Sequence, residues 1–227
     1  GLGNSPGTPL VGRHLESQYS KEQYAEWLEK LQQYLNEARR KGVVVPEAEN
    51  VPEQFLLGMG GQSIESAASL GLSFVYGVFP YIPQDPVELA KSLSKKYRSN
   101  FKASAHSKPS NFVLAVFVII ADTSEEAEEM VKPLDLWMLG KQDFTEFHTF
   151  PTQKDVEEYE FTQRDHEKIA SNRSRLIVGN PREVYEQMEA LRAVSNPDEL
   201  LFIPLVGSIE KRKRSVELLA ELYKGEQ

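Results

Sequence analysis

Six apolar positions, Tyr24, Trp27, Leu28, Leu31, Leu35 and Ala38, recur at helical spacing behind Ser20-Lys21-Glu22-Gln23, which has the form of a capping box. They predict a long amphipathic helix running to about Arg40. Pro52 then precedes a short apolar run over 54–59 that reads as a buried strand, followed by glycines and a small-residue helix over 63–70. The same order repeats as a strand over 72–79, a proline-rich loop over 81–86, a helix over 87–97 and a strand over 111–121. A second capping box, Thr123-Ser124-Glu125-Glu126, opens a helix whose Ala127, Met130, Val131 and Leu134 face inward, and Pro133 should kink or end it. Asn180-Pro181-Arg182-Glu183 opens another helix, to about Ala193, with an N-cap, a proline at the first helical position and a glutamate at the third. A last strand over 199–206 leads into a helix over 208–223 with Val216, Leu219, Ala220 and Tyr223 inward.

Strands alternating with helices predict a parallel sheet with helical crossovers, an α/β fold in a single domain over 1–227. Four long strands are visible, and four cannot close an eight-stranded barrel. A parallel sheet of four would leave two edges and much apolar surface uncovered, so the chain is either a small open sheet or part of a barrel. The stretch 140–172 is polar and aromatic by turns, with Phe144, Phe147, Phe150, Tyr159 and Phe161, and is too long for a simple connector. It reads as an insertion or lid, with a dimer arm as the rival reading.

Composition narrows the class of partner. Of the 227 residues, 40% are hydrophobic and 26% charged, ordinary for a globular protein. The longest strongly apolar run, over 112–121, is too short to span a bilayer as a helix, and no signal peptide is visible at the start. Cysteine is absent, which removes disulfides, thiolate metal sites and a cysteine nucleophile and fits a cytoplasmic protein. A formal net charge of -8 disfavours broad binding to nucleic acid and leaves a small-molecule partner.

The candidate chemistry sits in glycine turns. Gly58-Met59-Gly60-Gly61-Gln62-Ser63 falls between a predicted strand and a predicted helix, where backbone N–H groups and the helix dipole make an anion site. It is not a complete dinucleotide fingerprint, and a tight turn without a ligand remains the alternative. Gly1-Leu2-Gly3-Asn4-Ser5-Pro6-Gly7-Thr8 is a second such segment, with the ordinary loop as its alternative. Tyr76, Phe79 and Tyr81 come at the end of a strand, where aromatic residues suit a flat ring, against the alternative of core packing. His14, His106, His148 and His166 show no metal-ligand spacing, so no metal site is expected. The basic run 211–214 reads as a solvated helix face, and Glu125, Glu126, Glu128 and Glu129 as complements to a helix dipole.

Taken with Phe55-Leu56-Leu57 before it and Ala67-Ala68-Ser69-Leu70-Gly71-Leu72 after it, the turn resembles the fifth-strand region of the bacterial luciferase-like monooxygenases, where that family holds the phosphate of FMN. Residues 1–8 resemble the family's segment at the end of the fourth strand. Arg175-Leu176-Ile177-Val178-Gly179-Asn180-Pro181 with Val184, Gln187 and Asp198-Glu199 resembles its late helix and eighth strand, and 210–215 with Leu218-Leu219-Ala220 its closing helix. The resemblance implies a TIM-type (β/α)8 barrel whose first strands lie ahead of Gly1, with the flavin at the C-terminal ends of the strands. It implies a monooxygenase that uses reduced FMN from a separate flavin reductase, and dioxygen, to oxidise a small organic substrate, in a protein expected to form a homodimer. Cofactor-binding residues on this reading are Asn4, Ser5, Gly58, Met59, Gly60, Gly61, Gln62, Ser63 and Tyr76. Where family members often carry serines, this chain has Met59, Gly60 and Gly61, which shifts the binding toward backbone N–H groups. The catalytic residues near the ring, a histidine among them, belong to the first three strands, so none is assigned here. A deazaflavin-dependent hydride-transfer enzyme of the same superfamily and a flavin-binding protein without turnover stand as alternatives.

Overall fold

The computed structural model describes residues 21–41, 52–79, 85–103, 109–140 and 147–224. Helix α1, Lys21–Lys41, leads to strand β1, Phe55–Gly58, helix α2, Gln62–Leu70, strand β2, Ser73–Val78, and helix α3, Pro86–Asn100. Strand β3, Phe112–Ile120, is followed by helices α4, Ser124–Trp137, α5, Gln153–Glu158, and α6, Gln163–Arg173. Strand β4, Ile177–Gly179, helix α7, Pro181–Ser195, strand β5, Glu199–Pro204, and helix α8, Ile209–Leu222, complete the order.

All strand pairs are parallel. β2 lies between β1 and β3, and β3 pairs in turn with β4 and β5. Val118 is partnered by Ile177 of β4 and by Pro204 of β5. A strand residue has one neighbour on each edge, so β4 lies on the β2 edge of β3 and continues beyond the end of β2. Successive side chains alternate between the two faces. Leu56, Phe74, Tyr76, Val78, Phe112, Leu114, Val116, Val118 and Ile120 therefore share one core with Ile64, Ala67 and Ala68 of α2, Ala90, Leu93 and Tyr97 of α3, Val184 and Met188 of α7 and Leu218 and Leu219 of α8. The opposite face carries Val75, Val113 and Ala115, and toward the C-terminal ends Phe117 and Ile119, where Ala127, Met130, Val131 and Leu134 of α4 cover it. Phe55, Leu57 and Leu201 on that face are exposed.

The N-terminal ends of the central strands are clamped by polar groups. The Tyr97 hydroxyl donates to the Leu72 carbonyl at 2.7 Å and accepts from the Asn111 N–H at 3.2 Å. Asp198 accepts from the Phe112 N–H at 2.7 Å and pairs with Arg98 at 3.0 Å. Burial pushes the Tyr97 phenol above its ordinary pKa, which keeps it protonated and able to donate.

The four expected strands are all present, and β4 is a fifth that the sequence pattern did not show. Three expectations change. Helix α4 runs four residues past Pro133, because Leu134 and Leu136 are buried there and the Met138 N–H still bonds to the Leu134 carbonyl at 2.8 Å. On α8, Val216 is 53% exposed and Ala220 is exposed too. The buried stripe is Ser215, Leu218 and Leu219, fixed by the Ser215 hydroxyl donating to the Ile120 carbonyl at 3.0 Å. On α1, Leu28 is buried but Trp27 is 42% exposed, since the helix packs a narrow stripe against α2. The stretch 140–172 is also less irregular than its composition suggests. It holds α5 and α6, each opened by a capping box, Thr152 with Asp155 and Thr162 with Asp165. Phe144 lies outside the described residues.

Removing the Tyr97 hydroxyl takes away a donor and an acceptor that are both buried. Tyr97→Phe is expected to destabilise the fold by about 1–3 kcal/mol, read as a lower urea midpoint at unchanged slope. An unchanged midpoint would show that water replaces the clamp.

Candidate active site

Parallel strands deliver the following helix starts to their C-terminal ends, so helix N-termini gather on that side of the sheet. Seven helices have their N-cap among the described residues, and six are closed by a side chain. Asp85, for example, accepts from the N–H groups of Val87 and Glu88, both at 2.9 Å. Helix α2 is the exception. Its N-cap is Gly61, and among the described residues no side chain caps it. The N–H groups that a cap would take are thus left to another acceptor.

The residues of this turn fit together closely. A Cβ on Gly58 would lie 2.1 Å from the Ser63 Oγ, so only glycine lets the end of β1 pass the start of α2. Gly60 and Gly61 take φ values of 115° and 62°, a left-handed region that side-chain-bearing residues avoid. Beneath Gly60 lies the Leu93 side chain, whereas a Cβ on Gly61 would meet nothing within 4 Å. The Ser63 hydroxyl donates to the Gly60 carbonyl at 2.8 Å and holds the turn. Met59 packs on the helix-side core, and Gln62 is exposed. Gly58, Met59, Gly60, Gly61, Gln62 and Ser63 are therefore contiguous in space around one open helix start.

Tyr76 sits elsewhere. It is the register partner of Gly58, but its ring is fully buried between sheet and helices, 6.5 Å from Phe112. Among the described residues its hydroxyl has no hydrogen-bond partner, and burial pushes its pKa up to about 12, opposed by Arg175. At neutral pH it is an uncharged phenol. Phe79 lies on the opposite face of the sheet, its ring 5.0 Å from Phe117. Asn4, Ser5 and Tyr81 lie outside the described residues, as do His14 and His106. His148 and His166 are exposed. Among the described residues no cluster of three or more histidine, aspartate or glutamate side chains could hold a metal ion. No described helix is long and apolar enough to cross a membrane.

A polar hub missing from the sequence reading closes the neighbouring helix starts. Glu183 accepts from the Asn180 N–H at 3.0 Å and from the Ser124 hydroxyl at 2.8 Å, so one carboxylate serves the first turns of both α7 and α4. The Asn180 side-chain amide donates to the Ser124 hydroxyl at 2.8 Å. The capping box around Asn180 was legible, but the link to Ser124, 56 residues away, was not. The basic run meets acidic partners here as well, Arg214 on Asp122 and Lys211 on Glu126.

The chain carrying this helix start is similar to known proteins. Residues 17–195 fit the family model of the luciferase-like monooxygenases. The chain belongs to the luciferase-like monooxygenase family. It is 33% identical over 172 residues to the uncharacterized protein YceB of Bacillus subtilis strain 168, covering 76% of this chain and 50% of YceB. It is 26% identical over 231 residues to the N-acetyl-S-alkylcysteine monooxygenase of the same strain, covering 97% of this chain and 67% of that enzyme. The crystal structure of apo-MsnO8 superposes with a TM-score of 0.76 at 23% identity, covering 97% of this chain and 66% of that one. The fold is thus the α/β fold of the luciferase-like barrels. The chain spans half the length of YceB and about two thirds of MsnO8.

Hydrogen bonds from the Asn180 N–H and the Ser124 hydroxyl hold the Glu183 carboxyl below its ordinary pKa of 4.5. A lowered pKa means that the charged form stabilises the fold fully above 4.5 and loses that effect as pH falls through the lower, folded value. Glu183→Gln should therefore melt at a lower temperature than the wild type at pH 7, with the gap closing as pH falls below 4.5. A gap that stays constant with pH would assign the effect to packing.

Proposed function

We propose that the protein is a monooxygenase that uses reduced FMN and dioxygen to oxidise a small organic substrate, and that the turn 58–63 holds the FMN phosphate. The observation that carries this is the start of α2: among the described residues, unclosed by any side chain, opened by two left-handed glycines and clear of atoms over Gly61. Such a site suits a dianion, because the first-turn N–H groups and the helix dipole both favour negative charge. Bound reduced FMN supplies the electrons with which one oxygen atom of dioxygen goes to the substrate and the other to water.

The chain's own residues do the rest. Gly61 lets the phosphate approach the backbone, and Ser63 holds the turn through the Gly60 carbonyl. Asn4 and Ser5 belong to the same reading as neighbours of the phosphate. The apolar cluster of Phe79, Phe117, Trp137 and Phe150 keeps water away from the C-terminal ends of the strands. The stretch 140–172 acts as the lid over them, with Phe150 packed on Trp137 at 6.0 Å. Membership of the family and the likeness to an N-acetyl-S-alkylcysteine monooxygenase support oxygenation of a small molecule. A separate flavin reductase and assembly as a homodimer complete the proposal.

Gly61→Leu tests it. The new side chain would project into the open space over the helix start and strain a φ of 62°. FMN affinity is expected to fall at least tenfold in a fluorescence titration; unchanged affinity would place the phosphate elsewhere. Deleting 147–172 is expected to raise the hydrogen peroxide released per reduced FMN consumed. A release equal to the wild type's would leave the stretch without a role over the flavin.

A further inference from the structure

The turn 58–63 begins level with Tyr76 of β2 and Leu114 of β3, because Gly58 pairs with Tyr76 and Tyr76 with Leu114, and Gly77 comes next on β2. On the face opposite α2 and α3 the side chains form rows across the strands. Gly77 pairs with Ala115, and Ala115 with Leu201. The row below is Leu57, Val75 and Val113, and the row above contains Phe117 and Ile203. Gly77 and Ala115 have no side-chain atom beyond Cβ, so the face is low over these two residues and bounded by Leu201 on β5. Strands lie about 4.8 Å apart, so this low ground begins one to two strand widths, roughly 5–10 Å, from the turn.

A ring already lies on it. Phe79 leans back over its own strand, and a Cβ placed on Gly77 would come within 2.2, 2.5 and 2.8 Å of the Cε2, Cζ and Cδ2 atoms of the Phe79 ring. The ring is held there by Phe117, at 5.0 Å between centroids. Phe79 is only half-buried, and it is the first residue past the end of β2, so its side chain is not locked into the core as Phe74 and Tyr76 are.

We infer that the Phe79 ring and the flavin ring compete for the surface over Gly77 and Ala115, so that flavin binds here by displacing Phe79. The inference rests on the proposal that the turn 58–63 holds the FMN phosphate. A flavin anchored there extends its flat ring over the adjoining strands at the same level, where the Phe79 ring stands in the way. Phe79 then sets affinity for the ring of the cofactor and leaves affinity for its phosphate untouched. It is a positioning residue for the flavin, and its contact with Phe117, aromatic on aromatic, is weak enough to be exchanged.

Riboflavin and FMN share the ring and differ in the phosphate, which separates the two claims. Both are titrated into wild type, Phe79→Ala and Gly61→Leu, with inorganic phosphate as a competitor of FMN and thermal melting as the check on folding. Phe79→Ala should bind riboflavin and FMN each about tenfold more tightly, with the inhibition by phosphate unchanged; Phe79→Leu, which keeps the apolar bulk, should gain less. Gly61→Leu should weaken FMN alone. Flavin affinity that is unchanged or lower in Phe79→Ala would overturn the inference, as would the absence of flavin binding to every variant. If Phe79→Ala tightens both ligands while Gly61→Leu leaves FMN unaffected, the ring site stands and the phosphate site falls.

Discussion

Strand β3 is the constraint on which the rest of the structure depends. All nine of its residues are buried, and it alone pairs with three other strands, β2, β4 and β5. A strand covered on both faces needs a continuous apolar run, which Phe112 to Ile120 supplies. Its even-numbered residues fill the core beneath α2, α3, α7 and α8, and its later odd-numbered residues meet α4. Because β3 is parallel to every partner, each crossover brings the next helix start back to the same side of the sheet.

That arrangement gathers positive helix ends in one place, and the chain answers them in two ways. Around β3 and β4 the answer is internal: Glu183 lies between the starts of α7 and α4, and side chains close both. At the end of β1 no described side chain answers, and three glycines clear the approach. Among the described helix starts, the contrast separates those closed by a side chain from the start of α2, which is left open. It also accounts for the sequence of the turn, since Gly58 lacks room for a side chain, whereas Gly61 has room and is left bare.

Much of this was legible in the sequence because the signals were local. The four long strands followed from apolar runs bounded by turn residues, and the helix starts at Thr123 and Asn180 from their capping residues, because both depend on neighbours a few positions away. What was not legible depended on distant contacts. Three-residue β4 is a strand only because Val118 to Ile120 lie beside it. The inward stripe of α8 is shifted from Val216 and Ala220 by the bond from Ser215 to Ile120, 95 residues away. For the site, the turn 58–63 was readable as a possible anion site, but spacing could not show that α2 is left without a cap. Nor could it show that Tyr76 and Phe79, three residues apart, point to opposite faces with different partners: one into the core, the other over Gly77.

The central claim is that the open start of α2 receives a phosphate. The most direct measurement follows the backbone amide resonances of the protein, labelled with nitrogen-15, as FMN and then riboflavin are added. Large downfield shifts of the Gly61, Gln62 and Ser63 amides are expected with FMN, and little movement of the same three with riboflavin. If those amides stay in place with FMN while others shift, the phosphate is bound elsewhere and the account is contradicted.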